Sequence, residues 1–178
     1  MEIEELVRII DHDPLCKLMP ITGQPTLAHS EDRLPSDLRR FYALCGGAEL
    51  FLGREFGFRI TCPQELLPAS SQIVPIDYGK RKKIYDNDIS AHWYLLLSSD
   101  GAMENVVIDL HPERTGLCYD GYVNTYASSD CFVVASSFTD LLRGVVNGRG
   151  SGDSLFWEGK IEGRQYIYEM LDVEPPNA

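Results

Sequence analysis

The chain has 178 residues, 27 of them acidic and 16 basic, for a formal net charge of −11. That length suits one domain with a sizeable hydrophobic core rather than two, and 44% apolar with 24% charged residues argues against wholesale disorder and against a fibrous repeat. No apolar run approaches the roughly 20 residues of a membrane span, Met1 to Arg8 is acidic rather than signal-like, and the acidic excess disfavours binding to a phosphate backbone.

Ile3, Leu6, Val7 and Ile10 recur at helical spacing, which predicts a short amphipathic helix at the start. Residues 11 to 33, broken by Pro14, Pro20, Gly23 and Pro25, read as an extended connection. Leu34-Pro35-Ser36-Asp37 then opens a second helix, with proline in the first turn and an acid at the positive dipole end. Leu38, Phe41, Tyr42 and Cys45 form its buried stripe. Gly46-Gly47 stops it by allowing positive φ. Ala48 to Leu52 and Glu55 to Ile60 read as a hairpin around Gly53-Arg54, and Pro63 to Leu67 as one helical turn. Pro68 to Asn87, with its basic run Lys80-Arg81-Lys82-Lys83, reads as a solvated loop.

His92 to Ser98 and Asn105 to Leu110 are the strongest strands, joined at Ser99-Asp100-Gly101, and Gly116 to Tyr122 is a weaker third. Ser137-Phe138-Thr139-Asp140 resembles a capping box, and Phe138, Leu141, Leu142, Val145 and Val146 give the helix behind it an apolar face. Gly148 to Gly152 reads as a flexible joint. Phe156-Trp157 and Tyr166 to Leu171 are candidates for a last element packing back on the body, and the tail from Glu174 reads as loose. Helices flanking a block of strands predict an α+β fold.

Cys16, Cys45, Cys62, Cys118 and Cys131 are odd in number and scattered, which fits reduced thiols in the cytoplasm better than a disulfide framework. His12, His29, His92 and His111 are isolated in sequence, so no metal ligand set is read. Gly148-Arg149-Gly150-Ser151-Gly152 follows a helix and lacks a Gly-Lys-Ser/Thr ending, so it reads as a linker rather than a phosphate loop. Asp11-His12-Asp13 reads as solvated charge. Trp93, inside an apolar strand, reads as core, while tyrosines such as Tyr119 and Tyr122 suit either core or interface. Asp109-x-His111, with Cys118 as the nearest thiol, is the one constellation with hydrolase chemistry.

The acid is unevenly placed. Residues 84 to 142 hold nine acids against Arg114 alone and carry −8 of the −11. Chance clustering is one reading. A cationic protein partner is the other, because such a field speeds encounter and sets register.

Leu34-Pro-Ser-Asp-Leu-Arg-Arg-Phe-Tyr-Ala-Leu-Cys-Gly-Gly47 resembles the opening helix of the SUKH superfamily, the Smi/Knr-like proteins, with Cys45 where the family usually has Asn. Trp93-Tyr-Leu-Leu-Leu-Ser-Ser-Asp-Gly101, Val107-Ile-Asp-Leu110, Gly116 to Gly121 and Phe138-Thr-Asp-Leu-Leu142 continue the similarity in the right order. The resemblance implies a single α+β domain over 1–147, built on a central, curved, mixed but mainly antiparallel sheet flanked by helices. Residues 148–178 would form an extension packed on it. It also implies a binding module without cofactor: bacterial members are commonly immunity proteins against polymorphic toxins, often nucleases, and fungal relatives are cell-wall regulators.

The leading expectation is therefore a cytoplasmic, non-catalytic immunity-type protein that occludes a basic toxin domain, with no cofactor, metal, nucleic acid or membrane partner. Its expected face comprises Asp86, Asp88, Asp100, Glu104 and Asp120, with Tyr85 and Tyr119 as aromatic anchors. A regulatory scaffold domain is the second reading. A small hydrolase using Cys118 and His111 is the third.

Overall fold

A computed structural model describes residues 2–99, 104–151 and 164–176. Among these, seven strands form one sheet in sequence order: β1 (Cys16–Leu18), β2 (Ala48–Leu50), β3 (Phe58–Ile60), β4 (Trp93–Ser99), β5 (Asn105–Asp109), β6 (Cys118–Asp120) and β7 (Val133–Ala135). Every pairing is antiparallel. The helices are α1 (Ile3–His12), α2 (Ser36–Leu44), α3 (Ser70–Ile73), α4 (Pro75–Tyr85), α5 (Phe138–Gly148) and α6 (Ile167–Leu171). This is the expected α+β class, with the sheet antiparallel throughout rather than mixed.

Both faces of the sheet are covered, which explains why β4 and β5 are apolar on nearly every residue. One face packs Tyr94, Leu96, Val106, Ile108 and Cys118 against Leu6, Phe41 and Phe138 of α1, α2 and α5. The other gathers Trp93, Val107 and Tyr119 with Tyr85, Tyr126 and Tyr168. Alternation along β4 breaks at a bulge between Leu95 and Leu97. The extra residue lets Leu96 and Leu97 share the first core.

The capping chemistry joins two helices. Ser137 Oγ accepts from the Asp140 N–H at 3.1 Å, as its sequence position predicts. Asp37, in the first turn of α2, accepts from the Thr139 N–H at 2.9 Å, so one carboxylate ties the starts of α2 and α5 together. The glycine pair after α2 works by two means. Gly47 has φ +126°, whereas Gly46 is needed for space: a Cβ there would lie 1.9 Å from the Pro20 carbonyl oxygen. The strap of residues 19–33 is held against that point by paired backbone bonds, Gly46 N–H to Met19 O and Met19 N–H to Gly47 O.

Three local expectations change. The supposed loop from Pro68 to Asn87 holds α3 and α4. Pro75 sits in the first turn of α4 and Lys82 and Lys83 in its last, both favourable to a helix, but its only fully buried side chain is Tyr85, so no apolar period announces it. The hairpin after α2 has shorter strands and a longer connection, 51–57, with buried Phe51 at φ +54°. The supposed joint after α5 is fixed as far as Ser151. Arg149 turns left-handed (φ +50°) and pairs with Asp13 at 2.8 Å, and Gly150 packs where a Cβ would meet Phe51. β1 and β7 lie in segments that sequence periodicity leaves unassigned. Gly152, Phe156-Trp157 and the Asp100-Gly101 turn lie outside the described residues.

Candidate partner-binding face

The acidic segment is divided by the fold. β4 and β5 run antiparallel, with Trp93 opposite Asp109 at one end and Ser98 opposite Asn105 at the other. Asp86 and Asp88 precede the first end. Glu104 lies at the second, roughly 20 Å away at the usual rise per strand residue, and Asp120 joins it there by pairing with Val106. Asp100 lies outside the described residues.

Two of the nine carboxylates serve the interior. Asp109 is fully buried: its Oδ2 accepts from Arg114 Nε at 2.7 Å, Trp93 Nε1 at 3.1 Å and the Tyr119 hydroxyl at 3.1 Å, and its Oδ1 from the His111 N–H. Burial pushes its pKa up and the Arg114 guanidinium draws it back. Arg114, the lone cation of the acidic segment, is thus consumed by one of the segment's own acids. Asp120 is 6% exposed and organises the following turn through the Tyr122 N–H and the Thr125 hydroxyl.

Burial also removes the expected anchors from the surface. Tyr119 is fully buried and stacks on Trp93 with ring centroids 4.7 Å apart. Tyr85 is 1% exposed, its hydroxyl donating to Asp77 Oδ2 at 2.6 Å. As aromatic anchors for a partner, Tyr85 and Tyr119 are therefore corrected: both complete the Trp93 core. Cys118 is likewise buried, its thiol turned to the Gly116 carbonyl and pushed well above the ordinary thiol range by desolvation. That leaves the Cys118/His111 reading without a usable nucleophile.

Asp86 and Asp88 lie near solvent beside α4. Asp86 Oδ2 accepts from Lys82 Nζ at 2.5 Å and its Oδ1 from the Tyr78 hydroxyl at 3.0 Å. Chiefly through the Lys82 bond its carboxyl is held below the usual range, and Lys82 is pushed up to about 12. Asp88 caps the turn that follows, accepting from the Ser90 N–H at 2.9 Å and from the Tyr168 hydroxyl of α6 at 2.6 Å. Between α4 and the strap opens a groove of about 310 Å³, walled by His29, Tyr78, Lys82 and Asp86.

A cluster that sequence reading missed lies next to His29, which lines the groove. Asp32, 4% exposed, accepts from the Tyr94 hydroxyl at 2.6 Å and bonds His92 Nδ1 at 2.6 Å. His92 lies between His29 and His111, with ring centroids 5.2 Å and 4.8 Å away. Three histidines far apart in sequence thus meet where the strap is brought against the start of β4, and no local pattern foretells it. Among the described residues no three His, Cys, Asp or Glu side chains are arranged to hold a metal ion, and no helix is long and apolar enough to cross a membrane.

A seven-stranded meander with a tryptophan core on one face and the Leu-Pro helix on the other defines an α+β SUKH-type domain. The model of the SMI1 / KNR4 family (SUKH-1) matches residues 32–144, and the chain belongs to that family. It is 33% identical over 151 residues to the protein named Immunity protein YokJ of Bacillus subtilis (strain 168), which covers 84% of this chain and 86% of the relative. No solved structure matches the chain. The family match ends before α6, yet Ile167 and Tyr168 of that helix are buried in the Trp93 core.

Proposed function

We propose that this chain is an immunity protein: a non-catalytic, cytoplasmic binding module that neutralises a protein toxin by covering its working surface. The observation that carries this reading is its 33% identity, across most of both chains, to a protein named as an immunity protein. The buried, desolvated state of Cys118 and Cys131 and the core role of Asp109 support a role without chemistry of its own.

The partner we infer is a toxin domain of net positive charge, a nuclease type among them. The net charge of −11 supports this through long-range steering. Among the described residues, Asp86, Asp88, Glu104, Glu113, Asp130 and Asp140 are the carboxylates of the acidic segment that lie at or near solvent without a place in the core, and Asp86 and Asp88 lie at and just beyond the end of α4. Residues 1–147 form the functional domain, with 148–178 as an extension that completes the Trp93 core through α6.

Growth protection tests the reading. A toxin gene is expected beside this one, and cells making that toxin should survive when the chain is co-produced and die when it is not. Survival without complex formation, or death despite soluble chain, would contradict it.

A further inference from the structure

Helix α4 has little of its own to hold it in place. It runs for 11 residues, with Gly79 in its middle and non-helical backbone at Arg81 (φ −120°, ψ 25°). Glycine inside a helix is costly, and a helix this short persists in water only through packing on the rest of the fold. Yet Tyr85 is its only fully buried side chain, whereas α1, α2 and α5 each bury three or more.

What holds α4 comes from the last described residues of the chain. Arg81, at the kink, donates through Nη2 to the Pro176 carbonyl. Its Nη1 lies 3.6 Å from Asp77 Oδ2, the same oxygen that accepts from the Tyr85 hydroxyl at 2.6 Å. One guanidinium thus ties the tail to both the first turn and the buried ring of α4. Just past the helix, Asp88 Oδ2 accepts from the Tyr168 hydroxyl at 2.6 Å. Tyr168 has footing elsewhere: its ring meets Trp93 edge-on with centroids 6.1 Å apart, and backbone bonds from Val133 N–H to Gln165 O and from Ile167 N–H to Cys131 O fasten this segment to β7 and the residues before it. Support therefore runs from the sheet through α6 and the tail to α4.

We propose that residues 168–176 act as a clasp that holds α4 shut, and that release of the clasp lets α4 come away as a local unit while the sheet stays folded. Segments with few buried apolar contacts open at a fraction of the cost of global unfolding. Tyr78, Lys82, Tyr85 and Asp86 line the groove of about 310 Å³ beside the strap, so the groove exists only while the clasp is closed. The tail is in this way a switch for a groove it does not line, and the device stands whether or not the chain binds a toxin.

Hydrogen exchange on the full chain tests this. Tyr168→Phe keeps the ring in the Trp93 core, leaves every α4 side chain in place and removes the hydroxyl that Asp88 accepts from. Amides of residues 78–88 should then exchange at least about fivefold faster, as the loss of one ordinary hydrogen bond implies, with those of β4 and β5 within about twofold of the wild type. Arg81→Gln, which cuts the link to Pro176 from the helix side, should do the same. Tyr94→Phe removes a buried hydroxyl under the opposite face of the sheet and should leave residues 78–88 within about twofold. A rise below about fivefold in either clasp variant, an equal rise in β4 and β5, or an equal rise in residues 78–88 on Tyr94→Phe would overturn the clasp.

Discussion

Trp93 and Asp109 stand directly opposite each other across β4 and β5, and the indole N–H donates to the buried carboxylate at 3.1 Å. The pair explains how one face of the sheet keeps an anion in a tyrosine- and tryptophan-rich core: Arg114, Tyr119 and Trp93 all donate to the same oxygen. Asp109→Ala would strand Arg114 and leave the indole and phenol donors unmatched. The expected loss is about 3–5 kcal/mol, the range for breaking a buried pair by removing one partner. Chemical denaturation with tryptophan fluorescence reads it, and a loss below about 1 kcal/mol would show that the network contributes little.

Gly46 carries a steric prediction. A Cβ at that position would lie 1.9 Å from the Pro20 carbonyl oxygen, so Gly46→Ala must push the strap away from the start of β2. A cost of about 1–3 kcal/mol is expected, as for other overpacked sites, together with faster amide exchange at Met19 and Gly46, whose N–H groups bond across this junction. Exchange unchanged from the wild type would mean that the strap yields without cost.

The clamp on the other end of the strap should act locally. Tyr94→Phe removes one donor to Asp32 and the acceptor for the Ala28 N–H, leaving a buried carboxylate under-satisfied. We expect about 1–3 kcal/mol of lost stability, with limited proteolysis accelerated between residues 20 and 33 and the helices still protected. Cleavage that spreads at once to α2 would show that strap and body unfold as one unit.

Acid should weaken the start of α5. Hydrogen bonds from Ser136 and Ser137, then the Arg143 contact, hold the Asp140 carboxyl below its ordinary value. A carboxyl with a depressed folded pKa stabilises above its unfolded value of 3.8, and the contribution is lost as pH falls through the folded value. Because the side chain is 42% exposed, solvent screening keeps the effect within about 1 kcal/mol. Asp140→Asn should flatten the stability loss below pH 4 relative to the wild type; parallel pH curves would contradict this account.

What the sequence discloses here follows from where the information is local. The α2 start at Leu34-Pro35, the Ser137 cap and the apolar runs of β4 and β5 are each carried by neighbouring residues, so they are readable without the fold. Helix α4 is not, because it faces the body with Tyr85 and shows solvent lysines and isoleucines elsewhere. The acidic segment misleads for a related reason: Asp109 and Asp120 count equally with Asp86 in a charge tally, yet two are interior polar supports. The His29–His92–His111 cluster needs the strap brought against the start of β4, with Asp32 and His92 separated by 60 residues, and no window of sequence contains it.

The most direct measurement is the affinity of the purified chain for the toxin domain expected from a neighbouring gene, taken at low and high salt. A one-to-one complex that abolishes toxin activity, and that weakens at least about tenfold between 50 mM and 500 mM salt, is the predicted result for charge-steered occlusion. A chain that leaves the toxin active, with no complex at either salt, would contradict the account.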